Sequence, residues 1–183
     1  MKLGKIFINI STYGPHYQEM NADPAFLSKS VVMRGEISDM SAFMSGAVKT
    51  TLKNTCYIIK TTVTLPSTVT KASEVSLVAS SSSITVVGWT AVDDRFLSYY
   101  GGAAPNDYSE ISTRLGNFAP ASDGTVTAWM IGYGANKKEV TSGETLTMSV
   151  TTDQGVISRV KTLASNITFE PGKIYRLTVD MTK

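Results

Sequence analysis

The chain has one histidine, His16, and one cysteine, Cys56, and together they bound its nucleophilic and metal chemistry. A serine or cysteine nucleophile needs a base within hydrogen-bond reach, and His16 is the sole imidazole available. It follows Pro15 in a stretch without periodicity, and no Gly-x-Ser-x-Gly elbow occurs to present a serine. An exposed loop histidine is the simpler reading. Cys56 opens a strand-like run to Leu65, where an inert, buried thiol is the simpler reading. One His and one Cys leave a zinc ion short of its usual ligands, and a lone Cys forms no intrachain disulfide.

Carboxylates are the next source of chemistry. Asp93, Asp94, Asp107, Glu110 and Asp123 fall in or near a Gly- and Pro-rich middle stretch. Two carboxylates held roughly 5–9 Å apart across a cleft would hydrolyse a glycoside. Asp93 and Asp94 are adjacent, so in extended backbone they point in different directions and do not form such a pair alone. The same acids offer oxygen ligands for calcium, but their spacing matches no EF-hand loop. Solvated loop acids are the bland alternative. For phosphates, neither Gly-x-x-x-x-Gly-Lys-Ser/Thr nor Gly-x-Gly-x-x-Gly occurs. Gly132-Tyr133-Gly134 follows a strand signal, but no helix comes after it to aim an N-terminus at a phosphate. The chain therefore reads as a non-enzyme, with no catalytic set, cofactor or metal expected.

Aromatic residues form the remaining constellation. Tyr99, Tyr100 and Tyr108 flank Gly101-Gly102, and Trp89 lies just before them. Flat rings beside flexible glycine stack on sugar faces, so these four make a candidate glycan-binding surface. The competing reading places Trp89 and Trp129 in strands as core residues, with Tyr99 and Tyr100 split between core and solvent.

The elements that would position these residues are strands. Period-two alternation recurs in Ser30 to Ile37, Ala47 to Lys53, Cys56 to Leu65 and Glu74 to Ala79. It resumes in Ser83 to Thr90, Gly124 to Tyr133, Glu144 to Thr152 and Val156 to Thr162. Ser80 to Ser83 is expected to be a hairpin loop, and Asp153-Gln154-Gly155 a tight hairpin. The stretch from Asp93 to Ala121 reads as loop, with a short strand over Arg95 to Tyr100. Residues 1–29 give one strand, around Ile6, Ile8 and Ile10, and then a Pro-containing loop. They are expected to be a partial or peripheral segment of a single domain spanning 1–183.

Composition agrees with strands. Charged residues make up 17% of the 183 residues, below the roughly 25% of typical globular domains, while Ser and Thr supply roughly a quarter. Hydroxyl side chains tolerate the solvent face of a sheet, where helix-favouring Lys and Glu are scarce. The net charge of +2, with no basic stripe, argues against nucleic acid. No stretch is long and apolar enough to span a bilayer. The apolar run at the start is broken by Lys5 and Asn9, too short for a signal peptide. The fold class expected is all-β: an antiparallel two-sheet β-sandwich with transthyretin-like or Greek-key connections.

The closing segment is the strongest signal. Phe169-Glu170-Pro171-Gly172-Lys173 marks a turn, after which Tyr175, Leu177, Val179 and Met181 alternate with Arg176, Thr178 and Asp180. These four are expected to face the core, with Lys173 to Met181 pairing antiparallel with a neighbour.

This ending resembles the last strand of the fimbrillin-like family, surface lipoproteins and fimbrial subunits of anaerobic Gram-negative bacteria. Ser38-Asp39-Met40-Ser41-Ala42 and Met44-Ser45-Gly46 resemble the family's short motif before a long strand. Val48 to Leu65 with Glu74-Val75-Ser76-Leu77-Val78-Ala79 resembles the strand pair that follows. Leu146 to Phe169 resembles the hairpin leading into Phe-x-Pro-Gly-Lys-x-Tyr. The resemblance implies a structural protein of the cell surface or outer membrane, acting in cell adhesion or within a pilus or fimbrium. It implies self-assembly or other surface subunits as partners, by addition of a strand to an open sheet edge. It also implies an Arg-directed cleavage that frees a groove, for which Arg34 is the sole early arginine. The family's lipoprotein signal and lipid-bearing cysteine do not occur in this chain, so export would rest on a targeting segment outside it.

Overall fold

The computed structural model describes residues 6–11, 25, 27, 32–37, 46, 50–87, 91–92, 95–96, 106–133 and 137–183. Strands β1 (Ile6–Ser11), β2 (Val32–Ile37) and β3 (Lys53–Asn54) form one antiparallel sheet. Next come β4 (Cys56–Thr64), β5 (Ala72–Ala79), β6 (Thr85–Val87), β7 (Ala91–Val92) and β8 (Arg95–Phe96). They are followed by β9 (Asn106–Tyr108), β10 (Glu110–Phe118), β11 (Thr125–Tyr133) and β12 (Lys138–Val140). The chain closes with β13 (Thr145–Thr152), β14 (Gly155–Thr162), β15 (Ile167–Phe169) and β16 (Ile174–Asp180).

A four-stranded sheet, in the order β10-β5-β13-β14, packs on a three-stranded sheet, β11-β4-β16, making an all-β sandwich. Alternation explains why these segments pair face to face. On β4, Tyr57, Ile59, Thr61 and Val63 are buried, while Ile58, Lys60, Thr62 and Thr64 lie on the outer face. Val75 and Leu77 of β5, Ile111 and Leu115 of β10, Val126 and Met130 of β11, and Met148 and Val150 of β13 complete the core. Each large apolar side chain so buried contributes about 1.5–3 kcal/mol. The hydroxyls of Thr61 and Thr113 sit in this core without a hydrogen-bond partner. Cys56 is buried, as expected, in a second small cluster with Leu27 and Ile131.

The last strand faces inward as expected: Tyr175, Leu177 and Val179 pack half-buried on the core, and Met181 is buried. Its direction differs from the expectation. β16 runs parallel to β4, Ile174 opposite Ile58 through Asp180 opposite Thr64. Period two determines which face is buried but carries no sense of direction. Parallel neighbours need a long crossover, and nearly the whole sandwich lies between β4 and β16.

Three other expectations are corrected. Ser80 to Ser83 does not close a hairpin, because β5 pairs with β10 and β13 while β6 pairs with β9. The Tyr57 hydroxyl donates to the Ile84 carbonyl beyond it, and burial, then the neighbouring Tyr175, raises the Tyr57 pKa. The Asp93 to Ala121 stretch is less loop-like than its residues suggest, since β10 lies within it. Gly116 and Asn117 look like a turn and both take positive φ (66° and 62°), yet they sit inside β10. There they form an irregularity that shifts the β5 pairing between Arg114 and Phe118. Finally, Ala47 to Lys53 is not a strand at 50–52, and β3 begins only at Lys53.

Candidate functional site

The two flanks of the sandwich end differently, and the difference defines the site. On one flank, β10 passes straight into β11 through a tight connection. Gly124 N–H donates to the Ala121 carbonyl, Ala121 N–H to that of Thr125, and Leu65 N–H to that of Gly124. Asp123 caps this turn by accepting from Thr125 N and Oγ1, at 3.0 and 2.6 Å. Those hydrogen bonds hold its carboxyl below the usual carboxylate range.

On the other flank, β14 and β16 are sheet edges among the described residues, as β10 and β11 also are, but no short turn joins them. Ile58 N–H donates to the Lys173 carbonyl and Met181 N–H to that of Thr64. By alternation, the main-chain groups of Ile174, Arg176, Thr178 and Asp180 then point away from β4, toward the open side. Just past β14, Leu163 bonds back to Gly143 and Glu144 through its main chain. The same alternation turns the main-chain groups of Val156, Ser158, Val160 and Thr162 outward. Between the two edges lies a groove of about 390 Å³. Leu77 and Met148 form its floor, and Leu146, Leu163, Ile167, Leu177 and Val179 its walls. Arg159, Lys161, Thr178 and Asp180 ring its mouth.

The charges at this mouth come from hairpin register. Asp153-Gln154 makes the expected tight hairpin, with Thr152 opposite Gly155 and Gly155 at φ 101°. That register places Met148 opposite Arg159 and Leu146 opposite Lys161, so both cations share the face of core residues. Val156 and Val160 consequently point to solvent, 67% and 64% exposed. Hydropathy alone would orient β14 the other way; counting back from the two-residue turn is the signal that orients it correctly. Arg159 Nε donates to the Asp180 carbonyl at 3.3 Å, reaching from one edge to the other. The Asp180 carboxylate turns instead to Thr182 N and Oγ1, at 2.9 and 2.6 Å. The Thr182 hydrogen bonds, then Lys183 and Arg159, lower its pKa.

The closing motif anchors this flank. Phe169 stacks on Tyr57 at 4.9 Å, and Tyr175 meets both rings edge-on. Gly172 adopts φ 79°, Lys173 N–H donates to the Glu170 carbonyl, and Glu170 N–H donates to the Tyr175 hydroxyl. Phe, Gly and Tyr at this spacing are therefore one aromatic-capped turn that aims β16 along β4.

Of the candidate glycan surface, Trp89, Tyr99 and Tyr100 lie outside the described residues, and Tyr108 stands 44% exposed on β9. His16, Asp93 and Asp94 also lie outside them, as does the Asp107 side chain. Glu110 is exposed on β10, and Asp123 is committed to its turn. Trp129 is half-buried on the outer face of β11, with the Lys60 ammonium over its ring at 5.2 Å. Among the described residues, no three His, Cys, Asp or Glu side chains cluster to hold a metal, and no helix is long and apolar enough to cross a membrane.

No family model matches the chain, and no curated protein is similar to it in sequence at a significant level. Its shape is similar to a candidate cell adhesion protein of Bacteroides fragilis NCTC 9343, at 10% identity and a TM-score of 0.40. That match covers 84% of this chain and 53% of the other. A candidate cell adhesion protein of Bacteroides ovatus ATCC 8483 is similar at 16% identity and a TM-score of 0.38, over 96% of this chain and 55% of the other. The chain spans about half the length of both.

Proposed function

We propose that this chain is a non-enzymatic cell-surface protein, an adhesin or fimbrial subunit that assembles by strand addition at the β14–β16 flank. The observation that carries the reading is the open flank: two strand edges with outward main-chain groups on either side of an apolar groove. An extended segment laid there would extend a sheet through main-chain hydrogen bonds and set alternate side chains against Leu146, Leu177 and Val179. The resemblance of the Phe169 to Met181 ending to the fimbrillin-like family supports a surface location. Among the described residues, β1 lies in the sheet with β2 and β3 and pairs with neither β14 nor β16, so use of this groove would not require removal of β1.

Sedimentation across a concentration series, alongside protease shaving of intact producing cells, tests both halves. The expected result is oligomers that Thr178→Pro abolishes, because proline removes an outward N–H from the β16 edge. A chain that stays monomeric throughout, or whose oligomers are unchanged in Thr178→Pro, contradicts assembly at this edge. Shaving that leaves the protein intact on whole cells but degrades it in lysates contradicts the surface location.

A further inference from the structure

The groove is apolar along its walls but cationic at its mouth, and that combination narrows what fits it. Arg159 is half-buried on the inward face of β14, and Lys161 stands two residues further along the same face. Charged side chains pointing inward on an edge strand discourage indiscriminate pairing, because an ordinary apolar strand would strip them of water without compensation. Among the described residues, Asp180 is the carboxylate at the mouth, and it is turned toward Thr182. Arg159 instead reaches a neutral acceptor, the Asp180 main-chain carbonyl, through Nε at 3.3 Å. A carboxylate offers guanidinium a shorter, charge-assisted and two-pronged contact, so an incoming acid would win that exchange.

Resting on the strand-addition reading, we propose that the groove selects an extended peptide segment from another protein molecule, with apolar side chains on one face and a carboxylate on that same face opposite Arg159. The apolar residues lie on Leu146, Leu177 and Val179, the carboxylate takes Arg159 from the Asp180 carbonyl, and Lys161 adds a second positive charge. The freed carbonyl lies on the outward-pointing edge of β16, where a segment pairing with β16 would use it. A peptide fits better than a fatty acid, which shares the carboxylate and the apolar body but has no main-chain groups for either edge. The basic mouth thus works as a selectivity filter on an otherwise general edge.

The test uses fluorescently labelled peptides Val-Thr-Val-Thr-X-Thr-Val-Thr-Val, with X as Glu, Gln or Lys, titrated with the full chain and read by anisotropy. The Glu peptide should bind tightest, the Gln peptide about tenfold more weakly as expected for losing one hydrogen bond to a charged group, and the Lys peptide more weakly again. Added salt should narrow the gap between them. Arg159→Glu should reverse the Glu and Lys ranking while keeping the parent's thermal transition; Lys161→Glu, also at an exposed edge, gives the same reading if Arg159→Glu fails to fold. Equal binding of all three peptides overturns the charge filter and leaves strand addition standing. No binding by any peptide, undiminished binding of a Glu peptide with alternate backbone nitrogens methylated, or competition by oleate alone, overturns strand addition and the filter together.

Discussion

The β10–β11 flank and the β14–β16 flank are built from the same alternating strands over the same core, and both end in sheet edges, yet only one is bridged by a short turn. On the bridged flank a short turn carries the chain from one sheet to the other, held by Ala121, Gly124 and the Asp123 cap. On the open flank the chain leaves β14, forms β15, and reaches β16 through the Pro171-Gly172 turn, so no direct connection ties the two edges. Side chains decide what is core, while the connections decide how far apart two neighbouring edges are free to stand. Arg159 and Lys161, facing inward on β14, mark the open edge as one that is managed rather than merely exposed.

The largest expected effect comes from removing one wall of the open flank. Deleting Ile174 onward takes away Tyr175, Leu177, Val179 and Met181 from the core. At about 1.5–3 kcal/mol for each fully buried side chain, even half-burial makes the loss comparable to the roughly 5–15 kcal/mol that holds a domain folded. Calorimetry should find no cooperative transition in the truncated chain. A transition near the parent's would mean that β16 only decorates the sandwich.

Gly132→Ala strains the joint between β11 and β4. A Cβ there would clash with the Tyr57 ring, whose hydroxyl is tied to the Ile84 carbonyl and whose face is stacked on Phe169. Overpacking of this kind costs about 1–3 kcal/mol, to be read as a lowered denaturant midpoint at unchanged slope. A smaller loss would show that the ring can move.

A third expectation concerns acid. Glu144 accepts from Ser82 N and Oγ, Ser81 N, and Thr141 N and Oγ1, tying the end of β5 to the start of β13. The Ser82 and then the Thr141 hydrogen bonds pull its pKa from 4.5 to about 2. A depressed folded pKa contributes stability that is present above the unfolded value of 4.5 and lost as pH falls through about 2. Asp153 acts at the opposite end of β13, its pKa lowered first by Thr70 Oγ1. Melting temperature should therefore fall between about pH 4.5 and 2, and Glu144→Gln should flatten part of that fall. An unchanged acid limb in Glu144→Gln would remove this clamp from the account.

The smallest stability effect is expected at Val160, exposed on the outer face of β14. Val160→Thr should change stability by no more than about 0.5 kcal/mol. A larger loss by chemical denaturation would place Val160 against something in the folded chain.

How much of this was legible in the sequence varied with the kind of signal. Alternation gave β4, β5, β11, β13 and β16 as strands, with the buried face of β16, and Asp153-Gln154-Gly155 gave the β13–β14 hairpin; which face of β11 is buried was left open, and Trp129 lies on the outer one. β10 was hidden because Gly116-Asn117 carries turn chemistry, and only the pairing of Ile111 with Leu77 and Thr113 with Val75 makes it a strand. The parallel course of β16 was hidden because its partner, β4, lies more than a hundred residues earlier and alternation has no direction. The open flank was not legible as a site, since its defining residues, Arg159 and Lys161, look like ordinary solvent-facing charges until the hairpin register turns them inward.

The central claim is that β16 presents a free edge, and residue-resolved amide hydrogen exchange tests it most directly. In the isolated chain, the amides of Tyr175, Leu177, Val179 and Met181 should exchange slowly, and those of Arg176, Thr178 and Asp180 fast, alternating along one strand. Adding the Glu-bearing peptide should slow the second set while leaving the first unchanged. Uniform protection along β16 before any peptide is added would show the edge already covered, contradicting the account.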